Sequence, residues 1–179
     1  MSKTIYIILL SLLTLSSCEK SGLKEELIRL KESTIIMPYS KMERIYLSST
    51  DTVSESQLMI VHYIDDFNCT DCIVKDLANK EISKKIKYKI QHTYIIDCNK
   101  QTAKTFCNLM EKHLSQGIIY IDSTRQFIKT NPQVAKSKLF HTLVINNTGK
   151  VLLVGDPYLN NKMTSLFEQI IEKEFQSFQ

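Results

Sequence analysis

Two cysteines separated by two residues are the clearest chemical feature of this sequence. Cys69 and Cys72 lie in the stretch DDFNCTDCIVKDL (65–77), with Thr70 and Asp71 between them. Thiols at this spacing suit three roles: a redox pair, part of a metal site, or two buried thiols without chemistry. The compartment of the chain and the elements that flank the pair decide among these roles.

The N-terminus predicts export from the cytoplasm. Lys3 precedes an apolar run over 4–15, and the small residues that follow are typical of a secretory signal. This run is too short to cross a bilayer, which takes about 20 apolar residues. The letters LSSC at 15–18 match a bacterial lipobox. We therefore predict a lipoprotein signal peptide over 1–17 and a lipid on Cys18; the alternative is an uncleaved anchor with a chance cysteine.

The mature chain, 18–179, is only mildly basic. The full sequence has 23 Lys and Arg against 19 Asp and Glu, a net charge of +4, and removal of Lys3 leaves +3. A charge this weak and dispersed argues against a nucleic-acid partner. We expect a lipid-anchored lipoprotein of the cell envelope that faces the periplasm, a compartment in which disulfides form.

Strand and helix patterns alternate through the rest of the chain. Residues 57–64 form an apolar, β-branched run typical of a strand buried on both faces, and a glycine-containing hairpin signal follows Asn146. After the 57–64 strand, the predicted elements are a helix over 70–86, a strand over 88–97, a helix over 101–114, a short strand over 117–122, a hairpin over 140–156 and a helix over 161–175. Before them, we predict a short strand in TIIMP, which ends at Pro38.

A parallel βαβ unit that is followed by a hairpin and a last helix resembles the thioredoxin-like superfamily. The cysteine pair follows the first core strand, as in that family, and the closest likeness is to the thiol-disulfide oxidoreductase lipoproteins of the bacterial envelope. The resemblance implies an α/β fold with a central mixed sheet, flanking helices and a short N-terminal helix. It covers about 55–176, within a thioredoxin-like domain that is predicted over 55–179. Residues 18–54 are predicted as a lipid-anchor tether and a helical extension.

The resemblance also assigns roles to residues. In that family the first cysteine attacks and the second resolves, which implies Cys69 as the nucleophile and Cys72 as the resolving thiol. The sequence departs from the family at three positions: Asn68 replaces a tryptophan, Tyr63 replaces a buried acid, and His141 replaces a cis-proline. We expect a trans bond before His141, and an imidazole that faces the pair and modulates the Cys69 thiolate.

Charges near the pair bear on its redox behaviour. Cys69 is predicted at a helix N-terminus, where the helix dipole favours a thiolate, and Cys72 one turn deeper and more shielded. Asp71 places a negative charge beside that thiolate, which favours the disulfide. The expected potential is therefore reductant-like, near the thioredoxin value of about −270 mV.

Two further cysteines are candidates for a structural disulfide. Cys98 directly follows the second core strand and Cys107 falls nine positions later, in the next predicted helix. An exported chain permits a bridge between them. Both residues also suit the role of small buried hydrophobes, and exchange of Cys98 with the active-site pair is a third possibility.

Three functions remain open at this stage. The first is a lipid-anchored reductase or isomerase of envelope proteins, whose partners are protein thiols and disulfides and an electron donor, and which needs no cofactor beyond its own disulfide. The second is a soft-metal module that binds copper or zinc through Cys69, Cys72 and His141. The third is a non-catalytic thioredoxin-like interaction domain.

Overall fold

The computed structural model describes residues 22–47, 58–82, 90–114 and 116–176. The predicted signal peptide over 1–17 and the lipidation site Cys18 lie outside these residues. In the described ranges, none of the helices combines the length and the apolar character that a bilayer crossing requires.

In the part of the chain that the structure describes, six strands form one mixed sheet with helices on both faces. The strand order is β1-β4-β3-β2-β5-β6, with β2, β3 and β4 parallel to one another and the pairs β1–β4, β2–β5 and β5–β6 antiparallel. The strands are β1 (Glu43–Tyr46), β2 (Leu58–Ile64), β3 (Gln91–Ile96), β4 (Ile118–Ile121), β5 (Thr142–Asn146) and β6 (Val151–Val154). The helices are α1 (22–31), α2 (Thr70–Ile82), α3 (Lys100–His113), α4 (Gln126–Thr130) and α5 (Asn161–Gln176).

The central strand β2 is buried on both faces because its side chains alternate between two helical layers. Ile60 and Ile64 lie on one face of the sheet, where the buried side chains of α2, α3 and α5 cover it. Val61 and Tyr63 lie on the other face, against Leu30 of α1 and Phe127 of α4. This confirms the predicted α/β architecture, with the parallel βαβ unit and the antiparallel hairpin in one mixed sheet.

The short strand predicted over 117–122 is present as β4, which extends the parallel part of the sheet. Its neighbour β1 was not predicted, because the sequence ERIY has too few apolar residues to indicate a strand. Glu43 and Arg44 are exposed on this edge strand while Ile45 packs against the core. Charged residues are common on edge strands, where they disfavour pairing with another chain.

The strand predicted in TIIMP is wrong, and a side-chain amide explains the difference. Thr34 forms an isolated bridge to Lys150, which directly precedes β6, and the segment forms no strand. At Ile36 the backbone N–H donates to Oδ1 of Asn131 at 2.9 Å, and the Ile36 carbonyl accepts from Nδ2 of Asn131 at 2.9 Å. The backbone groups that a neighbouring strand would pair are therefore satisfied by one buried asparagine.

The segment predicted as an extension belongs to the same core as the rest of the chain. Leu30, Ile35 and Met42 are buried together with residues of β2, β3 and β4. Gly149 of the β5–β6 turn is part of this junction, because it has a φ of 82° and a Cβ there would meet the Ile35 carbonyl oxygen. The turn and the N-terminal segment therefore depend on each other.

We expect Asn131→Ala to lower the free energy of unfolding by about 2 kcal/mol or more, because it leaves the N–H and C=O groups of Ile36 without their partner. The measurement is denaturant unfolding of the full chain. The exposed turn residue Asn147 provides a matched control, and Asn147→Ala should change stability by less than about 0.5 kcal/mol. Equal effects of the two substitutions would contradict a structural role for the Asn131 amide.

Candidate active site

The cysteine pair lies at the carboxyl end of the central strand. Cys69 directly precedes the first residue of α2, and its carbonyl accepts a hydrogen bond from the N–H of Ile73 at 3.1 Å. Cys69 and Cys72 form a disulfide, with their Cα atoms 5.3 Å apart. The structure thus confirms the prediction that the pair lies at a strand–helix junction.

The loop between β2 and α2 is held by local contacts. Asp66 Oδ1 accepts a hydrogen bond from the Asn68 N–H at 3.1 Å, a turn that Asp residues commonly make. The Phe67 ring packs edge-on against Phe106 of α3, with centroids 5.5 Å apart. One polar turn and one buried aromatic contact therefore set the position at which α2 begins.

Both cysteines are exposed, so the prediction that Cys72 is shielded is wrong. The reason lies in the rotation of α2. Its buried residues are Val74, Leu77 and Ala78, and a helix turns about 100° per residue. Cys72 precedes Val74 by two positions and therefore points about 200° away from the buried direction, toward solvent.

The negative charge of Asp71 has a close counterion. Lys75 Nζ lies 2.6 Å from Asp71 Oδ2, one turn further along α2, and both side chains are more than half exposed. The lysine offsets the field that Asp71 exerts on Cys69, so the expected stabilisation of the disulfide by Asp71 is reduced. The position of Cys69 at the helix N-terminus remains as the feature that favours its thiolate.

His141 contacts an aromatic ring and a carboxylate. The imidazole lies edge-on to Tyr63, with centroids 5.0 Å apart, and its Nδ1 is 3.6 Å from Asp65 Oδ1. Burial lowers the pKa of His141 below its usual value; Asp65 opposes this shift and Lys138 adds to it. The neutral imidazole therefore predominates at pH 7, which disfavours the predicted role of a protonated His141 beside the Cys69 thiolate.

The backbone at His141 has the predicted trans geometry. The described residues contain no cis peptide bond, and the His141 carbonyl accepts a hydrogen bond from the Tyr63 N–H at 2.7 Å. The loop before β5 is thus joined to the end of β2 through the backbone. On the same loop, Lys138 Nζ lies 2.7 Å from Asp66 Oδ2, and this contact lowers the pKa of Asp66.

A polar network that the sequence did not reveal lies at the same edge of the sheet. Asp97, directly after β3, accepts hydrogen bonds from the Tyr63 hydroxyl and, at 2.9 Å, from Arg125 Nε. Burial and the bond to Asp97 raise the pKa of Tyr63. Tyr63 stands where the resembled family has a buried acid, and the acid that it meets here comes from the neighbouring strand. The rule that adjacent parallel strands end at one edge is the signal that would have suggested Asp97.

Cys98 and Cys107 are free thiols in the structure, so the predicted bridge between them is absent. Both pack in the apolar cluster of α2, α3 and the sheet, where they serve as small apolar side chains. Burial raises the pKa of each thiol to about 11, with Asp97 as a further cause at Cys98 and Glu111 at Cys107. These thiols are therefore protonated, and weak nucleophiles, at neutral pH.

The metal site that the sequence left open as an alternative is not assembled among the described residues. No three His, Cys, Asp or Glu side chains among the described residues are grouped so that they could hold a metal ion. Cys69, Cys72 and His141 consequently do not form a ligand set, and the disulfide leaves neither cysteine as a thiolate. The imidazole is directed instead to Tyr63 and Asp65.

A parallel βαβ unit, an antiparallel hairpin, a closing helix and a disulfide after the central strand together make up a thioredoxin-like fold. No family model and no curated protein matches the chain. The class therefore rests on the strand order and on the position of the cysteine pair.

Several solved structures are similar to this chain at low identity. A thioredoxin-like protein from Bacteroides caccae has a TM-score of 0.46 and 13% identity, over 85% of this chain and 53% of that protein. A thioredoxin-like protein from Porphyromonas gingivalis has a TM-score of 0.48 and 13% identity, over 78% and 92%. StoA from Bacillus subtilis has a TM-score of 0.41 and 11% identity, over 63% and 88%. The chain thus spans about half the length of the Bacteroides caccae protein, and with TM-scores below 0.5 none of these likenesses carries a functional argument.

We expect alkylation of the fully reduced chain at pH 7 to modify Cys69 faster than Cys72. Exposure does not separate the two cysteines, but only Cys69 lies at the end of the helix where the dipole stabilises a thiolate. Cys98 and Cys107 should be slowest, because a thiol with a pKa of about 11 is ionised to only about one part in 10⁴ at pH 7. The measurement is time-resolved mass mapping of the four cysteines.

The pH dependence provides the control for this assignment. Because the pKa of Cys98 and Cys107 is raised, their alkylation rate should increase about tenfold per pH unit up to about pH 11. The rate at Cys69 should level off well below that pH. Equal rates at Cys69 and Cys72, or a faster reaction at Cys72, would contradict the assignment of the nucleophile.

Proposed function

We propose that this chain is a lipid-anchored thiol-disulfide oxidoreductase that reduces or isomerises disulfides of proteins in the cell envelope. The observation that carries the proposal is the exposed Cys69–Cys72 disulfide at the N-terminus of α2, directly after the central strand. A purely structural bridge across so few residues restricts the unfolded chain only a little. Reversible redox chemistry is the better explanation of a solvent-exposed pair.

The reaction follows from the position of the two sulfurs. In the reduced protein, the Cys69 thiolate attacks one sulfur of a substrate disulfide, forms a mixed disulfide and expels the other substrate sulfur as a thiolate. The Cys72 thiolate then attacks Cys69 Sγ, which releases the second substrate thiolate and forms the Cys69–Cys72 disulfide. Two electrons pass to the substrate, whose thiolates take up two protons. A dithiol donor in the envelope restores the reduced pair by the reverse exchange.

The surroundings of the pair suit protein substrates. Cys69 and Cys72 are both exposed, so a bulky substrate reaches either sulfur without a movement of the fold. The charges nearest to the pair are largely matched, with Asp71 beside Lys75 and Asp66 beside Lys138. We infer that recognition near the pair depends on backbone and polar contacts more than on a strong charge, which is consistent with several envelope substrates.

Cys72→Ser should trap substrates as mixed disulfides, because the second attack can no longer occur. We expect mixed-disulfide adducts of the full chain in envelope extracts that are prepared without reductant, and their loss on reduction. Cys69→Ser should give few adducts. Cys107→Ser, which removes a buried thiol, should give the same adducts as the wild-type chain. A chain in which Cys72→Ser traps no partner, although Cys69 is reduced and alkylated readily, would instead be a non-catalytic interaction domain.

We also expect Cys18→Ala to abolish lipid attachment, since the predicted lipid is carried by the thiol of Cys18. The variant should accumulate as unprocessed precursor or appear in the soluble fraction, while the unchanged chain fractionates with membranes and incorporates a labelled fatty acid. Cys98→Ala serves as a matched control and should remain lipidated. A Cys18→Ala chain with unchanged membrane attachment and an unchanged N-terminus would refute the lipoprotein assignment.

A further inference from the structure

Helix α1 exposes most of its apolar residues instead of burying them. Leu30 is fully buried in the core, whereas Leu23 is 41% exposed, Leu27 39% and Ile28 46%. Scattered apolar residues are ordinary on protein surfaces, but at about 100° per residue these three side chains together span about 140° of the circumference of one short helix. Of the apolar side chains of α1, only Leu30 packs fully against the domain.

The patch continues into a groove between α1 and α5. The groove has a volume of about 510 Å³, with β6 as its floor, and Leu27, Met163, Leu166 and Ile170 contribute apolar side chains. Leu166 is itself 43% exposed. We call Leu23, Leu27, Ile28 and Leu166, together with the groove that they border, the α1–α5 surface.

The charged side chains that line the groove are mainly lysines. Lys31, Lys150 and Lys173 line the groove, and Glu174 is the acidic residue among its lining. Apolar side chains within a rim of lysines are the combination that binds the interface of an anionic bilayer, where the leucines enter the acyl boundary and the lysines meet the headgroups.

The length of chain between the predicted lipid and α1 limits where this surface can be. Only residues 19–21 separate Cys18 from the start of α1 at residue 22. Four residue steps reach at most about 14 Å, even when fully extended. If Cys18 carries a lipid, as the proposed function holds, the first turn of α1 therefore stays within about 14 Å of the lipid headgroups.

We propose that the α1–α5 surface docks on the anionic membrane to which the lipid of Cys18 attaches the chain. The lipid supplies attachment and the surface supplies orientation. Lys150 of this surface precedes β6, and β6 runs parallel to β2 because each is antiparallel to β5. The Lys150 end of the groove is therefore opposite to the edge that carries Cys69, and the groove follows β6, the edge strand two places from β2. Docking along this strand leaves the Cys69–Cys72 disulfide accessible to proteins in the envelope.

The chain contains no tryptophan, which permits a direct test with single-tryptophan variants. The full lipidated chain is reconstituted in phosphatidylethanolamine–phosphatidylglycerol vesicles, whose acyl chains are brominated near the headgroup and quench nearby tryptophan fluorescence. Leu27→Trp reports on the α1–α5 surface, and Ile28→Trp is a second probe should Leu27→Trp disturb the fold. Leu139→Trp is the matched control, because Leu139 is 63% exposed and precedes His141 at the opposite end of the sheet.

We expect brominated vesicles to quench at least half of the fluorescence of Leu27→Trp or Ile28→Trp and to leave Leu139→Trp unchanged. Salt should not release the chain, but replacement of phosphatidylglycerol by phosphatidylcholine should reduce the quenching, because the lysine rim then loses its counterions. Quenching that is equal at the two ends, or absent from both while the chain floats with the vesicles, would overturn the docking and leave the lipid anchor intact.

Two other outcomes would also overturn the docking. A blue shift of Leu27→Trp that depends on protein concentration and occurs without lipid would show that a second copy of the chain covers the surface. A chain that does not float with the vesicles would lack both the anchor and the docking. Disulfide reduction, measured on the same sample, tests the thiol chemistry independently of either result.

Discussion

Burial of β2 on both faces is the constraint on which the rest of the structure depends. Its side chains pack alternately into the layer of α2, α3 and α5 and into the layer of α1 and α4, so the strand cannot shift by one residue without exchanging the two sets. The end of β2 is therefore fixed, and so is the short loop that carries Cys69. The proposed exchange chemistry needs a fixed position of this kind, because the two sulfurs must stay within bonding reach of each other in the reduced protein.

Four thiols in one domain are divided into two kinds by their surroundings. Cys69 and Cys72 are exposed at a helix N-terminus, whereas Cys98 and Cys107 are packed among apolar side chains, which raises their pKa to about 11. A protonated thiol is a weak nucleophile and attacks a disulfide slowly. The fold thereby leaves one pair of cysteines suited to thiol–disulfide exchange, although the domain holds two further cysteines.

At the edge of the sheet that carries the cysteine pair, a different set of residues places a carboxylate near the end of the central strand. Tyr63 and His141 replace an acid and a proline of the resembled family, and in the structure they contact each other. The tyrosine hydroxyl is bonded to Asp97, which Arg125 holds from the other side. A carboxylate is thus retained near the end of the central strand, but it is supplied by the neighbouring strand and is largely neutralised by an arginine.

The sequence by itself determined the order of the strands and long helices from β2 to α5, though not the short helix α4, because long apolar and amphipathic runs reflect local periodicity. It also determined that Cys69 and Cys72 lie at a strand–helix junction. Only the tertiary structure decided that Cys72 is exposed and that Cys98 and Cys107 are free thiols. It also decided the hydrogen bond from Tyr63 to Asp97 and the hydrogen bonds between the Ile36 backbone and the Asn131 side chain. Each of these depends on the rotation of a helix or on contacts between residues far apart in the chain. A linear pattern can place Asp97 at the same sheet edge as Tyr63, but it does not give the contact between them.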